Sequence, residues 1–109
     1  MIHWARISEL REEVGAEDFE EIIEIFLEEV EEVIGRLKQG ADLHSLEQDL
    51  HFLKGSALNL GFEGFSKLCQ DGETQSAQGQ ATNVDLQSIL ATYEESKGQF
   101  MTELPAKFG

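Results

Sequence analysis

Leu50-His51-Phe52-Leu53-Lys54-Gly55-Ser56-Ala57-Leu58-Asn59-Leu60-Gly61-Phe62 is the stretch around which the chain is organised. Together with the residues just before it, Leu43, Leu46, Leu50, Leu53, Ala57 and Leu60 recur at alternating steps of three and four, which predicts a single buried stripe on one α-helix. Gly61 then ends the helix, and Asp42 is the expected N-cap.

At about 100° per residue, His51 falls outside the buried stripe and shares its side of the helix with Glu47, Lys54, Gly55 and Leu58. It is therefore expected to face solvent. A glycine inside a helix costs about 1 kcal/mol relative to alanine, so Gly55 calls for a reason. Access supplies one: with no side chain at Gly55, an incoming domain can bring a reactive group up to the imidazole, and Lys54 can neutralise phosphoryl oxygens arriving there. Taken alone, His51 reads as an ordinary surface histidine.

The string as a whole adds to this. His51-Phe52-Leu53-Lys54-Gly55-Ser56-Ala57, followed by Leu60-Gly61-Phe62, Leu68-Cys69 and Glu73, resembles the histidine-containing phosphotransfer (HPt) domain. That family's pattern runs roughly H-x-[LI]-K-G-[SA]-[SA]-x-x-[LIV]-G, then L-C, then L-E. The likeness joins reactive residue, cation, access glycine, helix-ending glycine and second-helix carboxylate in order, and its helix layout covers nearly the full chain.

The resemblance implies an all-α fold, an antiparallel four-helix bundle, in which His51 shuttles a phosphoryl group. The group would come from an aspartate on the receiver domain of a hybrid sensor kinase and pass to an aspartate of a response regulator. The receiver would supply Mg²⁺, and no cofactor is expected on this chain. The position of Glu73 commonly carries a Glu or Gln hydrogen-bonded towards the histidine in the family, which implies an orienting role for Glu73. Gly72 departs from the pattern, where a bulky apolar residue usually precedes that carboxylate.

Composition sets the outer bounds. The 109 residues suit one domain with a modest core, and 1–109 reads as a single unit. A net charge of −14 excludes nucleic acid as an expected partner, because phosphate backbones reward clustered Lys and Arg. No apolar run approaches the roughly 20 residues of a membrane span, and Met1-Ile2-His3-Trp4-Ala5-Arg6 lacks the layout of a secretory signal. A cytoplasmic, monomeric, free-standing protein is the expectation. Cys69 is the single cysteine, so neither an internal disulfide nor a zinc cluster is available. His44 precedes His51 by seven residues, too far for both to bind one metal, and His3 belongs to no motif.

The apolar residues fall at helical spacing nearly throughout. A short first helix over about 4–14 carries Trp4, Ile7, Leu10, Arg11 and Val14 on one face, stops at Gly15, and is expected to lie across the end of the bundle as a lid. Four longer helices are expected at about 16–38, 42–60, 62–78 and 83–104, the last capped by Asn83, with a frayed tail beyond Pro105. Of 22 acidic residues, 12 lie between Glu9 and Glu32, so the second helix has a strongly negative outer face, which either simply solvates the helix or steers basic partners. Close joining of the third and fourth helices through Gly61 and Gly64 predicts antiparallel packing that returns Cys69, Gln70 and Glu73 alongside His51. Phe52 and Leu58 flank the histidine, either under the first helix or, preferably, open with Glu47 as part of a docking surface.

The chemistry expected of these residues is specific. Neutral imidazole is nucleophilic near neutral pH, and its phosphoramidate retains transfer potential. For Nε2 to attack, the proton must sit on Nδ1, and a carboxylate accepting that N–H fixes the tautomer; Glu73 is the candidate. Ser56 either adds a hydroxyl hydrogen bond at the site or bonds back to its own helix. There is no GxxxxGK[ST] loop or kinase glycine loop, so the chain has no means of phosphorylating itself from ATP. Two other readings use the same residues without the chemistry: a non-phosphorylated helical module that docks receiver or other signalling domains, and an acidic decoy for basic nucleic-acid-binding proteins.

Overall fold

The computed structural model describes residues 2–108. Five α-helices account for most of them: α1 (Trp4–Val14), α2 (Ala16–Gln39), α3 (Leu46–Asn59), α4 (Glu63–Ala77) and α5 (Leu86–Phe108), with one 3₁₀ turn at Ala81–Asn83. The only β-type pairing among the described residues is an isolated bridge between Ile2 and Phe62. Helices α2 to α5 form the bundle, and α1 lies over one end of it.

The alternating three-four stripe explains α3. Leu46, Leu50, Leu53 and Leu60 are wholly buried and Ala57 nearly so, which seats one face of the helix in the core. On α2, Phe19, Ile23, Leu27, Val30, Val33, Ile34 and Leu37 are buried, with Ile22 and Phe26 packed at the edge of the same cluster. Phe65 and Cys69 from α4, and Ile89, Tyr93 and Phe100 from α5, complete it. Aromatic contacts knit the end under α1: Trp4 stacks on Phe100 with centroids 5.7 Å apart, and Phe62 meets the same Phe100 edge-on at 5.5 Å.

Two glycines are required by the turns they make. Gly15 (φ 88°) reverses the chain between α1 and α2 with no residue to spare. Gly61 (φ 70°) turns α3 into α4, and its carbonyl accepts the His3 N–H at 2.6 Å. A Cβ there would lie 2.6 Å from the His3 carbonyl oxygen, so a side chain is excluded by space as well as by dihedral. This contact ties the start of α1 to the α3–α4 corner.

Three expected boundaries are corrected. The third helix begins at Leu46, not near Asp42, because the Asp42 carboxylate accepts the His44 N–H at 2.9 Å and holds residues 43–45 in a turn. Leu43 consequently leaves the stripe and is 45% exposed. The fifth helix begins at Leu86, not at Asn83, because Asp85 accepts the Ser88 N–H at 3.1 Å and its hydroxyl at 3.0 Å, which makes it the working N-terminal cap. The segment after Pro105 is helical to Phe108 and not frayed, since Phe108 packs edge-on against Phe19 at 5.5 Å and beside Trp4 at 6.2 Å. The Arg11 guanidinium covers the outer side of the same ring at 5.1 Å.

Candidate functional site

The short, glycine-turned corner at residues 60–62 makes α3 and α4 an antiparallel pair, so the outer face of α4 runs back past His51. Glu73 is the residue that arrives there. Its Oε2 lies 2.8 Å from His51 Nδ1, and its Oε1 lies 2.7 Å from Lys54 Nζ. His51 is 68% exposed, while the Lys54 and Glu73 side chains are only 19% and 18% exposed. The imidazole therefore stands out from the surface above a half-buried charge pair. With Nδ1 occupied, Nε2 is the nitrogen left for an incoming group.

Electrostatics decide the state of Glu73. The Lys54 ammonium, and after it the His51 ring, hold the Glu73 carboxyl below its ordinary value against the opposing effect of burial. Glu73 is ionised at neutral pH and accepts, so the neutral tautomer that fits this contact has its proton on Nδ1 and a free lone pair on Nε2. The Lys54–Glu73 contact is a charge pair more than an aligned hydrogen bond. Lys54 also donates to Gln70 Oε1 at 3.1 Å, and Gln70 in turn donates to Thr74 Oγ1 at 3.2 Å.

The remaining residues singled out from sequence fall into two groups. Gly55 is exposed, and a Cβ placed on it would meet nothing within 4 Å, so the space beside the imidazole is open. Phe52 and Leu58 are 38% and 57% exposed and are not covered by α1, which reaches α3 further along, where Arg6 donates to the Asn59 side chain at 3.0 Å. Glu47 is exposed on the same helix. Ser56 lies elsewhere: it is 7% exposed on the core side of α3, and no hydrogen bond joins it to His51 among the described residues. Cys69 is fully buried, and loss of solvation pushes its thiol up to about 12, which makes it unreactive. No cluster of metal-ligating side chains exists among the described residues.

Thr74 is the member of this network that sequence reasoning missed. Its signal was the i,i+4 spacing from Gln70, which places both on the flank of α4 beside Glu73. Gly72 receives an explanation. It is buried, and a Cβ there would sit 2.8 Å from Leu50 Cδ1 and 3.2 Å from Val84 Cγ1, so α4 passes the core closely at that point.

Fold and site together define a helical module that carries an outward-facing histidine hydrogen-bonded to a half-buried carboxylate. Residues 21–99 match the family model of the Hpt domain, and the chain belongs to that family. No curated protein and no solved structure matched it. Hpt domains are phosphotransfer modules of two-component signalling that interact with receiver domains and have no kinase activity of their own. No helix among the described residues is long and apolar enough to cross a membrane.

Proposed function

We propose that this protein is a phosphorelay intermediate in which His51 takes a phosphoryl group from an aspartyl phosphate on the receiver domain of a hybrid sensor kinase and passes it to an aspartate of a response regulator. The observation that carries this reading is the exposed imidazole whose Nδ1 is held at 2.8 Å by Glu73.

The Nε2 lone pair attacks phosphorus in line with the aspartyl oxygen. The N–P bond forms as the P–O bond breaks, and the electron pair returns to the donor carboxylate. The proton stays on Nδ1, where the Glu73 carboxylate stabilises the positive charge developing on the ring. Transfer to the acceptor aspartate is the same step in reverse. Lys54 balances phosphoryl charge by turning part of its ammonium from Glu73 and Gln70 towards the arriving oxygens, a short movement because it already lies one turn beyond His51. Mg²⁺ belongs to the receiver in this reading, and the present chain contributes nucleophile, tautomer control and access. Phe52 and Leu58 supply apolar docking area around the ring, with Glu47 at its edge, and the protein acts as a monomer.

The test is transfer of label from phosphorylated receiver domains to the purified protein, with His51→Gln in parallel. Label that is lost in acid, survives base and is absent from the variant is the expected result. A folded protein that takes no label from receivers of the same cell, while still binding them, would instead make it a docking module.

A further inference from the structure

Among the helix-interior glycines, Gly35, Gly55 and Gly98 look onto open space, where a Cβ would meet nothing within 4 Å. Gly72 differs. A Cβ built on it would lie 2.8 Å from Leu50 Cδ1, 3.2 Å from Val84 Cγ1 and 3.4 Å from Ile89 Cδ1. Its φ is not positive, so the backbone conformation does not demand glycine. Space favours it: the three nearest atoms are side-chain methyl ends, and the nearest, Leu50 Cδ1, would have to shift to admit a Cβ.

What that closeness achieves is visible one residue along each helix. Leu50 immediately precedes His51, and Gly72 immediately precedes Glu73. The close approach of Gly72 to Leu50 is thus one residue away, on each helix, from the 2.8 Å hydrogen bond between His51 Nδ1 and Glu73. Leu50 is wholly buried, so its methyl can make way for a Cβ only by repacking against its core neighbours. A side chain at position 72 would act as a wedge, lifting or rotating this turn of α4, and a carboxylate that must reach Nδ1 and the Lys54 ammonium at once tolerates little of either.

We infer that Gly72 is a positioning residue for phosphoryl transfer: its missing side chain lets α4 close against Leu50, and that closure brings the Glu73 carboxylate within hydrogen-bond reach of His51 Nδ1. The rate consequence rests on the phosphotransfer reading of His51, whereas the geometric one does not. Gly72 acts through Glu73 and touches no substrate.

The experiment follows the His51 ring nitrogens by ¹⁵N–¹H NMR in the full chain and, in parallel, phosphoryl uptake from a phosphorylated receiver, for wild type, Gly72→Ala, Gly72→Leu and Gly72→Ala combined with Leu50→Val. The wild-type ring is expected as the Nδ1–H tautomer with a downfield, exchange-protected proton. In Gly72→Ala that signature is lost and uptake falls about tenfold, while the helical signal and cooperative melting persist. Leu50→Val removes the atom that would meet the new Cβ, so the double variant is expected to regain both the tautomer and most of the rate. A variant destabilised only as a structural lesion would lose melting temperature without changing the tautomer. Retention of the Nδ1–H signature in Gly72→Ala, or its loss without recovery on adding Leu50→Val, would overturn the inference. Should Gly72→Leu fail to fold, the alanine pair decides. Should wild type take no label at all, phosphotransfer fails as the function, and the nitrogen spectra still decide the role of Gly72.

Discussion

Lys54 and Glu73 are already joined, with Nζ 2.7 Å from Oε1, in the protein without phosphate. The cation expected to meet phosphoryl oxygens therefore has a prior partner, and its first effect is to keep Glu73 ionised and in place. Lys54→Met should harm the site twice, by removing the counter-charge for phosphate and by leaving a mostly buried carboxylate with only the imidazole for company. Uptake of label is expected to fall by one to two orders of magnitude, with His51 still chemically intact. Stopped-flow or quenched transfer assays against a phosphorylated receiver measure this directly; a rate within a factor of two of wild type would remove Lys54 from the site.

The same pair sets an acid limit. Glu73 is held below its ordinary value of 4.5, first by Lys54 and then by His51. Glu31, bonded to Lys97 and accepting from the Tyr93 hydroxyl at 2.9 Å, is likewise lowered, with Lys97 the leading cause. A carboxyl whose folded value is depressed contributes stability that is complete above its unfolded value and is lost as pH falls through the folded one. The His51–Glu73 contact should thus persist as pH falls past 4.5, the ordinary glutamate value, and break only as pH passes through the lower folded value of Glu73. Side-chain carboxyl ¹³C titration is expected to place the midpoints of Glu73 and Glu31 below 4.5; midpoints at or above 4.5 would contradict the geometry.

Gly55 should separate stability from function. Nothing crowds a Cβ at that position, so Gly55→Ala is expected to stabilise the fold by up to about 1 kcal/mol through helix propensity. Gly55→Gln should also fold well, yet slow transfer by tenfold or more by filling the approach to the ring. Urea denaturation and transfer rates on the same samples give both numbers. Unchanged transfer in the glutamine variant would show that partners do not enter from this side.

Phe108 should matter despite lying at the far end of the last helix. Its ring contacts Phe19 and Trp4 and lies under Arg11, which links α5, α2 and α1. Phe108→Ala is expected to cost about 1–2 kcal/mol, less than a fully enclosed phenylalanine because the residue is partly exposed. It should also shift Trp4 fluorescence to the red as water reaches the indole. Thermal melting followed by that fluorescence checks both effects, and a variant with wild-type melting and emission would return the segment to a frayed tail.

Much of this protein is local in origin and therefore legible from the chain alone. The three-four recurrence of Leu46, Leu50, Leu53, Ala57 and Leu60 dictates a helix with one buried face, because 3.6 residues per turn leave no other way to bury them together. The same arithmetic puts His51 outside and Gly55 beside it. Leu43 fitted the period but not the structure, since the Asp42 carboxylate captures a nearby N–H and closes a turn first. Asn83 lost its capping role to Asp85 through the same kind of short-range competition, which propensity does not rank.

Other features required contacts between segments far apart in the sequence. That Glu73 reaches His51 depends on how closely α3 and α4 approach, and the crowding that a Cβ at Gly72 would meet at Leu50 has no local signature in the sequence. That Lys54 is engaged beforehand, that Ser56 turns to the core and that Phe108 is docked depend on which side chains meet across helices. Periodicity determined which face each helix buries; only close packing in three dimensions determined which groups on the remaining faces come within 3 Å of one another.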